Sequence, residues 1–269
     1  MYPVMKYKFM VLRRLSQISL IALFITGNVL GWHILRGNLS TSRLFDLLTL
    51  ADPLAVLQIL AAGKIVSLQA LLGALVIVLF FTVMGGRAFC SWVCPVNVVT
   101  DLANWLRKRA RLDIAPENRM NRKTRYWVLG MAVVISALTG VAAFEWISPI
   151  SILHRGIIFG MGVGWTAVLG VFLFDLLIVK NGFCGHLCPL GGFYSLIGRM
   201  GVVKVRHNKK RCTLCGKCVE ICPEAQVLPM VGKESGMVLS GECTNCGRCI
   251  EVCDEEAMKF GLRHVYGKW

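Results

Sequence analysis

Charged residues are scarce in this sequence, and acidic ones especially so. Asp, Glu, Lys and Arg make up 17% of the 269 residues, against about a quarter in an ordinary soluble domain. Hydrophobic residues make up 55%, and the mean hydropathy is +0.61. This scarcity of charge excludes a disordered chain and argues against a purely soluble protein.

The sequence also lacks the signatures of three common cofactors. It has no P-loop, no Gly-x-Gly-x-x-Gly fingerprint in a strand–helix context and no Cys-x2-Cys-His haem attachment site. A b-type haem needs facing histidine pairs within apolar spans, and only His33 lies inside one. We therefore expect neither ATP, NAD nor haem.

Long apolar runs dominate the first two thirds of the chain. A bilayer-spanning helix needs about 20 predominantly apolar residues. Four runs meet this length, and they contain mid-run glycines, which membrane helices use for close packing. The predicted spans are Leu15–Leu35, Val66–Met84, Trp127–Ile147 and Ile157–Val179. Leu44–Gly63 is also apolar, but it contains Asp46, Asp52 and Pro53, which favour an interfacial or re-entrant segment.

The distribution of basic residues predicts the orientation of these spans. The chain has 30 Lys and Arg against 15 Asp and Glu. With four spans, 26 of the basic residues fall on the side of the two termini. The positive-inside rule then places both termini in the cytoplasm. The basic segment 107–125 is expected to contact anionic lipid headgroups rather than nucleic acid.

Two halves of the membrane part repeat one pattern. Cys90-x3-Cys94-Pro95 follows the second span, and Cys184-x3-Cys188-Pro189 follows the fourth. Upstream, the segment from Asp52-Pro53 to Gln58 resembles the segment from Ser148-Pro149 to His154, 96 residues later. Two spans in each half preserve orientation, which predicts a parallel repeat.

The strongest motif is a pair of cysteine runs in the C-terminal tail. Each has the spacing Cys-x2-Cys-x2-Cys-x3-Cys that is typical of bacterial ferredoxins with two [4Fe–4S] clusters, in which the fourth cysteine ligates the other cluster. We expect one cluster on Cys212, Cys215, Cys218 and Cys253. The other is expected on Cys243, Cys246, Cys249 and Cys222. A zinc ribbon does not fit two such runs, and disulfides are disfavoured on the cytoplasmic side.

The two Cys-x3-Cys-Pro pairs allow three interpretations. On a helix, residues i and i+4 share a face, so Cys90 with Cys94, and Cys184 with Cys188, can act together. The pairs are redox-active dithiols, a shared site for a further metal or cluster, or reduced structural thiols. The repetition of the motif does not choose among them.

Two carboxylates lie within predicted spans, where ionisable groups are costly and are functional candidates. Glu145, near the outer end of the third span, is a candidate acceptor for a proton from quinol; the alternative is an interfacial carboxylate that reaches water. Asp175, near the inner end of the fourth span, is expected to pair with a basic group such as Arg87 or Lys180.

These features together resemble the polyferredoxin-like membrane subunits of quinol dehydrogenases, and in particular the NapH-type subunit of periplasmic nitrate reductase systems. The resemblance extends over nearly the whole chain. The stretches that carry it are Leu12–Leu15, Gly37–Asn38, Leu44–Asp46, Asp52–Leu54, Phe89–Pro95, Thr100–Arg107, Ser136–Gly140, Glu145–Ile147, Phe172–Asp175 and Cys184–His186.

The resemblance implies a subunit of the bacterial inner membrane that takes electrons from quinol. With a periplasmic iron–sulfur partner of the NapG type, it would pass them toward a periplasmic nitrate reductase, as an electron-transfer subunit rather than a stand-alone enzyme. The alternative is a membrane polyferredoxin that acts in metalloenzyme assembly or as a redox sensor. The expected fold is mainly α: a four-helix transmembrane domain at 1–207, an α+β ferredoxin domain at 208–258 and a tail at 259–269.

Overall fold

A computed structural model describes residues 7–111, 120–160 and 162–263. Part of the basic segment 107–125 and the end of the tail at 259–269 lie outside these residues. The described chain is mainly helical, as predicted. It divides into two compact units. We call residues 1–17, 79–93 and 194–269 the cysteine-rich unit, and residues 18–78 and 94–193 the apolar unit.

The helices and strands have the following bounds in chain order. The helices are α1 (Lys8–Val29), α2 (Pro53–Ala61), α3 (Leu68–Met84), α4 (Ala88–Trp92), α5 (Val96–Arg109), α6 (Thr124–Thr139), α7 (Ala143–Ile147), α8 (Pro149–Phe159), α9 (Trp165–Leu173), α10 (Pro189–Gly198), α11 (Lys217–Glu220) and α12 (Arg248–Glu251). Short 3₁₀ turns occur at Gly162–Gly164, Lys209–Arg211 and Ala225–Val227, and π-helical turns at Phe174–Ile178 and Phe183–Leu187. The strands are β1 (Leu35–Gly37), β2 (Thr41–Leu44), β3 (Leu48–Ala51), β4 (Val203–His207), β5 (Gly236–Met237) and β6 (Met258–Leu262).

Among the described residues, α1 alone is long and apolar enough to cross a membrane by length and composition. Shorter apolar helices of 10–17 residues occur at Leu68–Met84, Thr124–Thr139, Pro149–Phe159 and Gly162–Ile178. Each of the four predicted spans therefore overlaps an apolar helix, but three of the predicted spans differ from the helices in their bounds.

Glycines explain two of these differences. The third predicted span is not one helix, because α6 ends at Gly140, whose φ of 70° lies in the left-handed region. The fourth was predicted to begin at Ile157, but that residue belongs to α8, which ends at Gly160 with a φ of 99°. Glycine adopts these backbone angles without the steric cost that other residues pay.

The first predicted span was placed too far along the chain. Helix α1 begins at Lys8 and ends at Val29, and Leu35 lies on strand β1. The outer segment that follows is an antiparallel sheet in the order β1-β2-β3, which pairs Arg36 with Arg43 and Arg43 with Thr49. Leu44–Gly63, predicted as an interfacial or re-entrant segment, supplies β3 and the nine-residue helix α2.

Two of the mid-run glycines let helices of the apolar unit approach this small sheet. A Cβ atom on Gly27 of α1 would lie 1.9 Å from the carbonyl oxygen of Leu35. A Cβ atom on Gly73 of α3 would lie 1.8 Å from that of Thr49. A larger residue at either position would force the helix away from the sheet.

The repeated sequence segments fold into matching elements. Both α2 and α8 begin at the proline of the repeated outer segment, Pro53 and Pro149. Proline suits this place because its fixed φ is helical and its missing N–H is not needed in the first turn. Helices α5 and α10 likewise begin at or directly after the proline that follows each cysteine pair.

The cysteine-rich unit contains a second antiparallel sheet, in the order β5-β4-β6. Its strands pair Val205 with Phe260 and Arg206 with Met237. A hydrophobic core packs against it; its buried members are Val205, Cys218, Val227, Leu228, Val238, Cys249 and Met258. The sheet uses β4 and the end of β6, which lie outside the predicted domain bounds of 208 and 258.

Candidate metal centre

The two tail motifs form matching loops. Each loop turns through two residues with positive φ, Leu214 and Gly216 in the first, Asn245 and Gly247 in the second. The glycine of each loop is the N-cap of a one-turn helix: Gly216 caps α11, and Gly247 caps α12. Because glycine and asparagine tolerate the left-handed region, the chain can wrap tightly enough for three cysteines to face one space.

The first set of four predicted ligands surrounds a single cavity. Cys212, Cys215, Cys218 and Cys253 all line a cavity of about 220 Å³, and His207 lines it too. The fourth cysteine comes from the second motif, as the ferredoxin spacing predicts. Cys253 Sγ also accepts a hydrogen bond from the Ala257 backbone N–H at 3.2 Å.

The second set surrounds a smaller cavity of about 20 Å³. Its lining includes Cys222, Cys243, Cys246 and Cys249, so the fourth cysteine here comes from the first motif. Among the described residues, no three His, Cys, Asp or Glu side chains lie close enough together to hold one metal ion. The cysteines instead enclose two spaces in sets of four, an arrangement that fits a multi-iron group.

Burial strongly disfavours the thiolate form of the second set in the absence of a cation. Desolvation raises the pKa of Cys222 to about 12 and of Cys243 to about 11, and neighbouring cysteines add to the shift of Cys222. Since iron binds the thiolate, the positive charge of the metal must offset this desolvation. Metal binding and folding of these loops are therefore coupled.

The segment that carries Cys90 is bonded to the second loop. Arg87 makes a buried ion pair with Glu224 at 2.6 Å and donates to the Glu242 carbonyl at 3.0 Å. The Trp92 indole N–H donates to the Asn245 carbonyl at 3.1 Å. Glu224 lies two residues after Cys222 and Glu242 directly precedes Cys243, so these contacts reach both parts of the second cysteine set.

Lys204 adds a positive charge near the same loop. Its buried ammonium donates to the carbonyls of Gly198 at 2.6 Å and Ser240 at 3.4 Å. Burial lowers the pKa of Lys204, whereas the negative charge of Cys243 raises it.

The Cys-x3-Cys-Pro pairs do not lie on continuous helices, contrary to the expectation. Cys90 lies in α4, which ends at Trp92, and the buried Cys94 directly precedes Pro95. Cys184 lies in the π-helical turn Phe183–Leu187, and the buried Cys188 directly precedes α10. Each proline begins a new helix, so each pair spans a helix junction. The three interpretations of these pairs stay predictions.

Glu145 is held by three side chains of the apolar unit. Its Oε1 accepts hydrogen bonds from the hydroxyl groups of Ser40 and Ser151. The same oxygen forms an ion pair with Arg155, with 3.1 Å between Oε1 and Nη2. The side chain is 19% exposed. A carboxylate held in this way is neither fully buried nor free in water.

Asp52 is a second acidic residue, and its charge interacts with that of Glu145. The sequence did not indicate it as a functional residue. It caps α2 by accepting a hydrogen bond from the Leu54 backbone N–H. Burial raises the pKa of Asp52 to about 7, with a further contribution from the charge of Glu145. The signal in the sequence was the Asp-Pro pair at the start of α2, which is typical of a helix N-terminus.

His154 is another buried polar side chain for which the sequence indicated no role. The ring is buried and packs edge-on against Phe24, with a centroid distance of 4.7 Å. Within the described ranges, neither ring nitrogen has a hydrogen-bond partner. Burial lowers the pKa of His154 to about 4, so the imidazole is neutral at physiological pH. It is the counterpart of the buried Gln58 in the other repeat, which accepts hydrogen bonds from Ser136 and the Phe144 backbone.

The predicted partners of Asp175 were wrong. Arg87 is paired with Glu224, and the basic residue near Asp175 is Arg107, which donates to the Asp175 backbone carbonyl at 3.4 Å. The Asp175 carboxylate instead accepts a hydrogen bond from the Phe183 backbone N–H at 2.9 Å. Asp175 thus fixes the π-helical turn that carries Cys184.

Comparison with known protein families supports the cysteine chemistry. A family described as a 4Fe-4S dicluster domain matches residues 204–254. A second family, described as a 4Fe-4S binding domain, matches residues 67–112 and 157–210, which contain the two Cys-x3-Cys-Pro pairs. The chain therefore binds 4Fe–4S clusters through its cysteine motifs.

Whole-length relatives fall into two named groups. The chain is 46% identical to the methylamine utilization ferredoxin-type protein MauN of Methylorubrum extorquens, over 88% of this chain and 83% of that protein. It is 44% identical to the ferredoxin-type protein NapH of Escherichia coli, over 85% and 80%. The same identity to NapH of Haemophilus influenzae extends over 95% and 90%. No solved structure matches the chain. With these identities and coverages, the chain belongs to the NapH/MauN family of iron–sulfur, ferredoxin-type electron-transfer proteins.

Proposed function

We propose that this protein is an iron–sulfur subunit of the bacterial inner membrane that takes electrons from quinol. With a periplasmic iron–sulfur partner of the NapG type, it passes them toward a periplasmic nitrate reductase. The observation that carries the proposal is the pair of cavities, each lined by four cysteines. A [4Fe–4S] cluster carries one electron at a time, so two clusters suit a two-electron donor such as quinol.

The lining of the two cavities supports the proposed ligand sets. The first cluster is assigned to Cys212, Cys215, Cys218 and Cys253. The second cluster is assigned to Cys222, Cys243, Cys246 and Cys249. The crossed fourth ligand ties the two motifs together, so that neither loop can bind its cluster without the other.

Membrane insertion is supported by the side chains that the apolar helices leave exposed. Leu75 and Leu79 of α3 are about half exposed, and Trp127 and Leu138 of α6 are more than 70% exposed. Large exposed apolar surfaces of this kind mark contact with lipid or protein. The proposed topology keeps four spans in two parallel repeats, with both termini in the cytoplasm. Helix α3 has 17 residues, the lower limit for a span.

Glu145 is the proposed acceptor for a proton from quinol. Oxidation of a quinol releases two protons and two electrons, and a positioned carboxylate takes up protons at hydrogen-bond distance. Ser40, Ser151 and Arg155 all contact Oε1, which fixes the carboxylate and places Oε2 to receive the proton. Asp52, with its raised pKa, is positioned as a second group that can hold a proton near neutral pH.

Methylamine utilization is a second candidate context. The chain is 40–46% identical to MauN proteins and 44% identical to NapH proteins, so similarity does not separate the two. In this alternative the chain passes electrons to or from a methylamine-oxidising system rather than to nitrate reductase. Neighbouring genes for a molybdenum reductase and a periplasmic ferredoxin would support the nitrate context.

The decisive experiment is quinol-dependent reduction of the clusters in the purified full-length chain, followed by EPR, with and without the periplasmic partner. We expect quinol to produce the EPR signal of the reduced clusters. In the Glu145→Gln variant, we expect the rate of this reduction to fall at least tenfold. Asp46→Asn is the matched control, because Asp46 is an exposed carboxylate of the same outer region. Absence of reduction with or without the partner would defeat the quinol-oxidising proposal.

A further inference from the structure

The two cysteine loops have the same spacing, but they differ in their exposure. Residues 213–217 of the first loop are all exposed, whereas residues 244–247 of the second loop are all buried. Leu214 is 69% exposed, and Asn245, at the same place in the second loop, is 4% exposed. The contrast includes one proposed cluster ligand of each loop, because Cys215 is exposed and Cys246 is buried.

The glycines of the two loops show what covers the second one. A Cβ atom on Gly247 would lie 2.5 Å from Cγ of the Phe9 ring. A Cβ atom on Gly216 would meet no other described residue within 4 Å, its chain neighbours apart. Phe9, in the first turn of α1, therefore packs directly on the second loop. The described part of the chain places no such ring on the glycine of the first loop.

Phe9 is held in this place by contacts on both sides. Its ring meets Phe260 of β6 edge-on, with 5.4 Å between the ring centroids. The next backbone N–H, that of Met10, donates to the Glu251 carboxylate at 2.8 Å. Glu251 is the last residue of α12, so this bond ties the start of α1 to the helix that follows the second loop. A carboxylate is also favourable at a helix N-terminus.

The segment that precedes Cys94 covers the second loop as well. The Trp92 indole N–H donates to the Asn245 carbonyl at 3.1 Å. The Asn245 side-chain amide donates to the Met84 carbonyl at 2.9 Å. Protein groups rather than water therefore contact both the backbone and the side chain at the centre of this loop.

We propose that the first cluster site is the port at which this protein exchanges single electrons with a water-soluble carrier protein, and that Phe9 closes the second site to such carriers. The proposal rests on the ligand sets assigned above, and it goes beyond quinol oxidation because it adds a second redox partner. With both termini in the cytoplasm, as proposed, this partner is a cytoplasmic protein.

The exposed ligand is what suits the first site to this role. Cys215 lies at the surface, so a carrier can approach its sulfur without displacing any part of the protein. A [4Fe–4S] cluster changes by one electron at a time. The electron that one partner loses is the electron that the other gains, and no bond or proton changes. Electron-transfer complexes use small interfaces, so a short exposed loop suffices for contact.

A paramagnetic probe that stays in water tests the proposal without any turnover. The full-length chain in detergent is reduced with dithionite and frozen with and without dysprosium–EDTA, and the microwave power saturation of each EPR signal is measured. Cys215→Ser and Cys246→Ser assign the signals, because each removes one cluster. We expect the chelate to raise the half-saturation power of the first cluster severalfold and to leave that of the second cluster near its starting value.

Variants at Phe9 test the cover itself. Phe9→Ala should make the second cluster respond to the chelate as the first cluster does, and Phe9→Leu should keep it protected. Tyr7→Ala is the matched control, because Tyr7 is an aromatic residue beside Phe9 that is already 51% exposed. It should change neither signal.

Reduction by a small carrier gives a second measurement. In Cys215→Ser, which keeps the second cluster alone, we expect reduced methyl viologen to reduce that cluster about tenfold more slowly than it reduces the first cluster in Cys246→Ser, because the covered site must open locally. Adding Phe9→Ala to Cys215→Ser should remove most of this difference.

Each result bears on the proposal. An equal response of both clusters to the chelate, or a response of the second alone or of neither, overturns it. A second cluster that stays protected in Phe9→Ala overturns the role of Phe9. If Phe9→Ala loses the second cluster, the native protein and Phe9→Leu decide. Absence of clusters from the native protein would overturn the ligand sets and this proposal with them. Failure of quinol to reduce intact clusters would bear on the proposed function alone.

Discussion

Arg87 and Glu224 form a buried ion pair, with 2.6 Å between Nη1 and Oε1. Arg87 lies three residues before Cys90, and Glu224 lies two residues after Cys222. The guanidinium also donates to the Glu242 carbonyl, directly before Cys243. Both side chains are about 2–3% exposed. One charge pair thus joins the segment of the first Cys-x3-Cys-Pro motif to the second cluster site.

We predict that Glu224→Gln destabilises the second cluster site. The change removes the negative charge of this buried ion pair, and breaking a buried ion pair by removing one partner costs about 3–5 kcal/mol. The expected result is a lower thermal midpoint and loss of the iron held by the second ligand set. Iron analysis together with differential scanning calorimetry on the purified chain measures both.

Asp254→Asn is the matched control for this change. Asp254 pairs with Lys217 at 3.1 Å beside the first cluster site, but both side chains are more than half exposed. Exposed ion pairs contribute little to stability, so we expect iron content and midpoint to stay near native. Equal losses in Glu224→Gln and Asp254→Asn would show that burial of the Arg87 pair is not what matters.

The second prediction concerns Asn245, between Cys243 and Cys246. Its side-chain amide donates to the carbonyls of Met84 and Val203 at 2.9 and 2.8 Å, and its φ is 47°. Asn245→Ala removes the donors to two partly buried carbonyls, at about 1–3 kcal/mol, and adds backbone strain of about 1–2 kcal/mol. We expect the second cluster to be lost first on heating, as followed by its EPR signal.

Leu214→Ala is the control at the equivalent position of the first loop. Leu214 also has a positive φ, 60°, but its side chain is 69% exposed. We expect this variant to retain both clusters up to the native midpoint. Asn245→Gly separates the two causes, since it relieves the backbone strain and still lacks the amide. If Asn245→Gly behaves as native, the hydrogen bonds to Met84 and Val203 contribute nothing measurable.

The cysteine spacing was the most informative part of the sequence. It predicts which four cysteines share each site, because three cysteines at Cys-x2-Cys-x2-Cys spacing must lie on one tight loop and the fourth ligates the other cluster. The structure brings Cys253 to the first cavity and Cys222 to the second. The spacing did not predict His207 or Arg87, because their place at the site depends on strand pairing and on contacts between residues more than 100 positions apart.

Helix bounds were predicted less well than the presence of apolar helices. Hydropathy averages over a window, so the run through Gly140 looked continuous, although that residue ends α6. The same averaging merged the end of α8 with the helix after Gly160. Positive φ at a single glycine is a local steric property, and an apolar glycine within a run gives no sign of it.

The crossed ligand sets give the third prediction. Cys222→Ser should abolish the same EPR signal as Cys246→Ser, although Cys222 belongs to the first motif. Cys253→Ser should instead abolish the signal that Cys215→Ser removes. Each variant is compared after reduction by dithionite, which does not depend on quinol. If Cys222→Ser removes the signal that Cys215→Ser removes, each motif holds its own cluster and the assignment is wrong.

The fourth prediction is a pH dependence that arises from Asp52. Burial raises its pKa from the ordinary 3.8 to about 7, and the charge of Glu145 adds to the shift. The folded protein therefore holds a proton that the unfolded chain releases at lower pH. The contribution of this proton to the free energy of unfolding is complete below about pH 4 and is lost as the pH rises toward 7. In Asp52→Asn the side chain cannot ionise, so the variant should lack this loss.

We expect the stability of Asp52→Asn relative to the native chain to increase as the pH rises from about 5.5 to 8. One pKa unit corresponds to about 1.4 kcal/mol, so the difference should change by at least about this amount. Thermal unfolding in detergent micelles across this range measures it. Asp46→Asn is the control, because the hydrogen bond from His33 lowers the pKa of Asp46 and leaves it ionised throughout the range. A constant difference between Asp52→Asn and the native chain at every pH would mean that Asp52 does not take up a proton near neutrality, which would remove it as a proton-holding partner of Glu145.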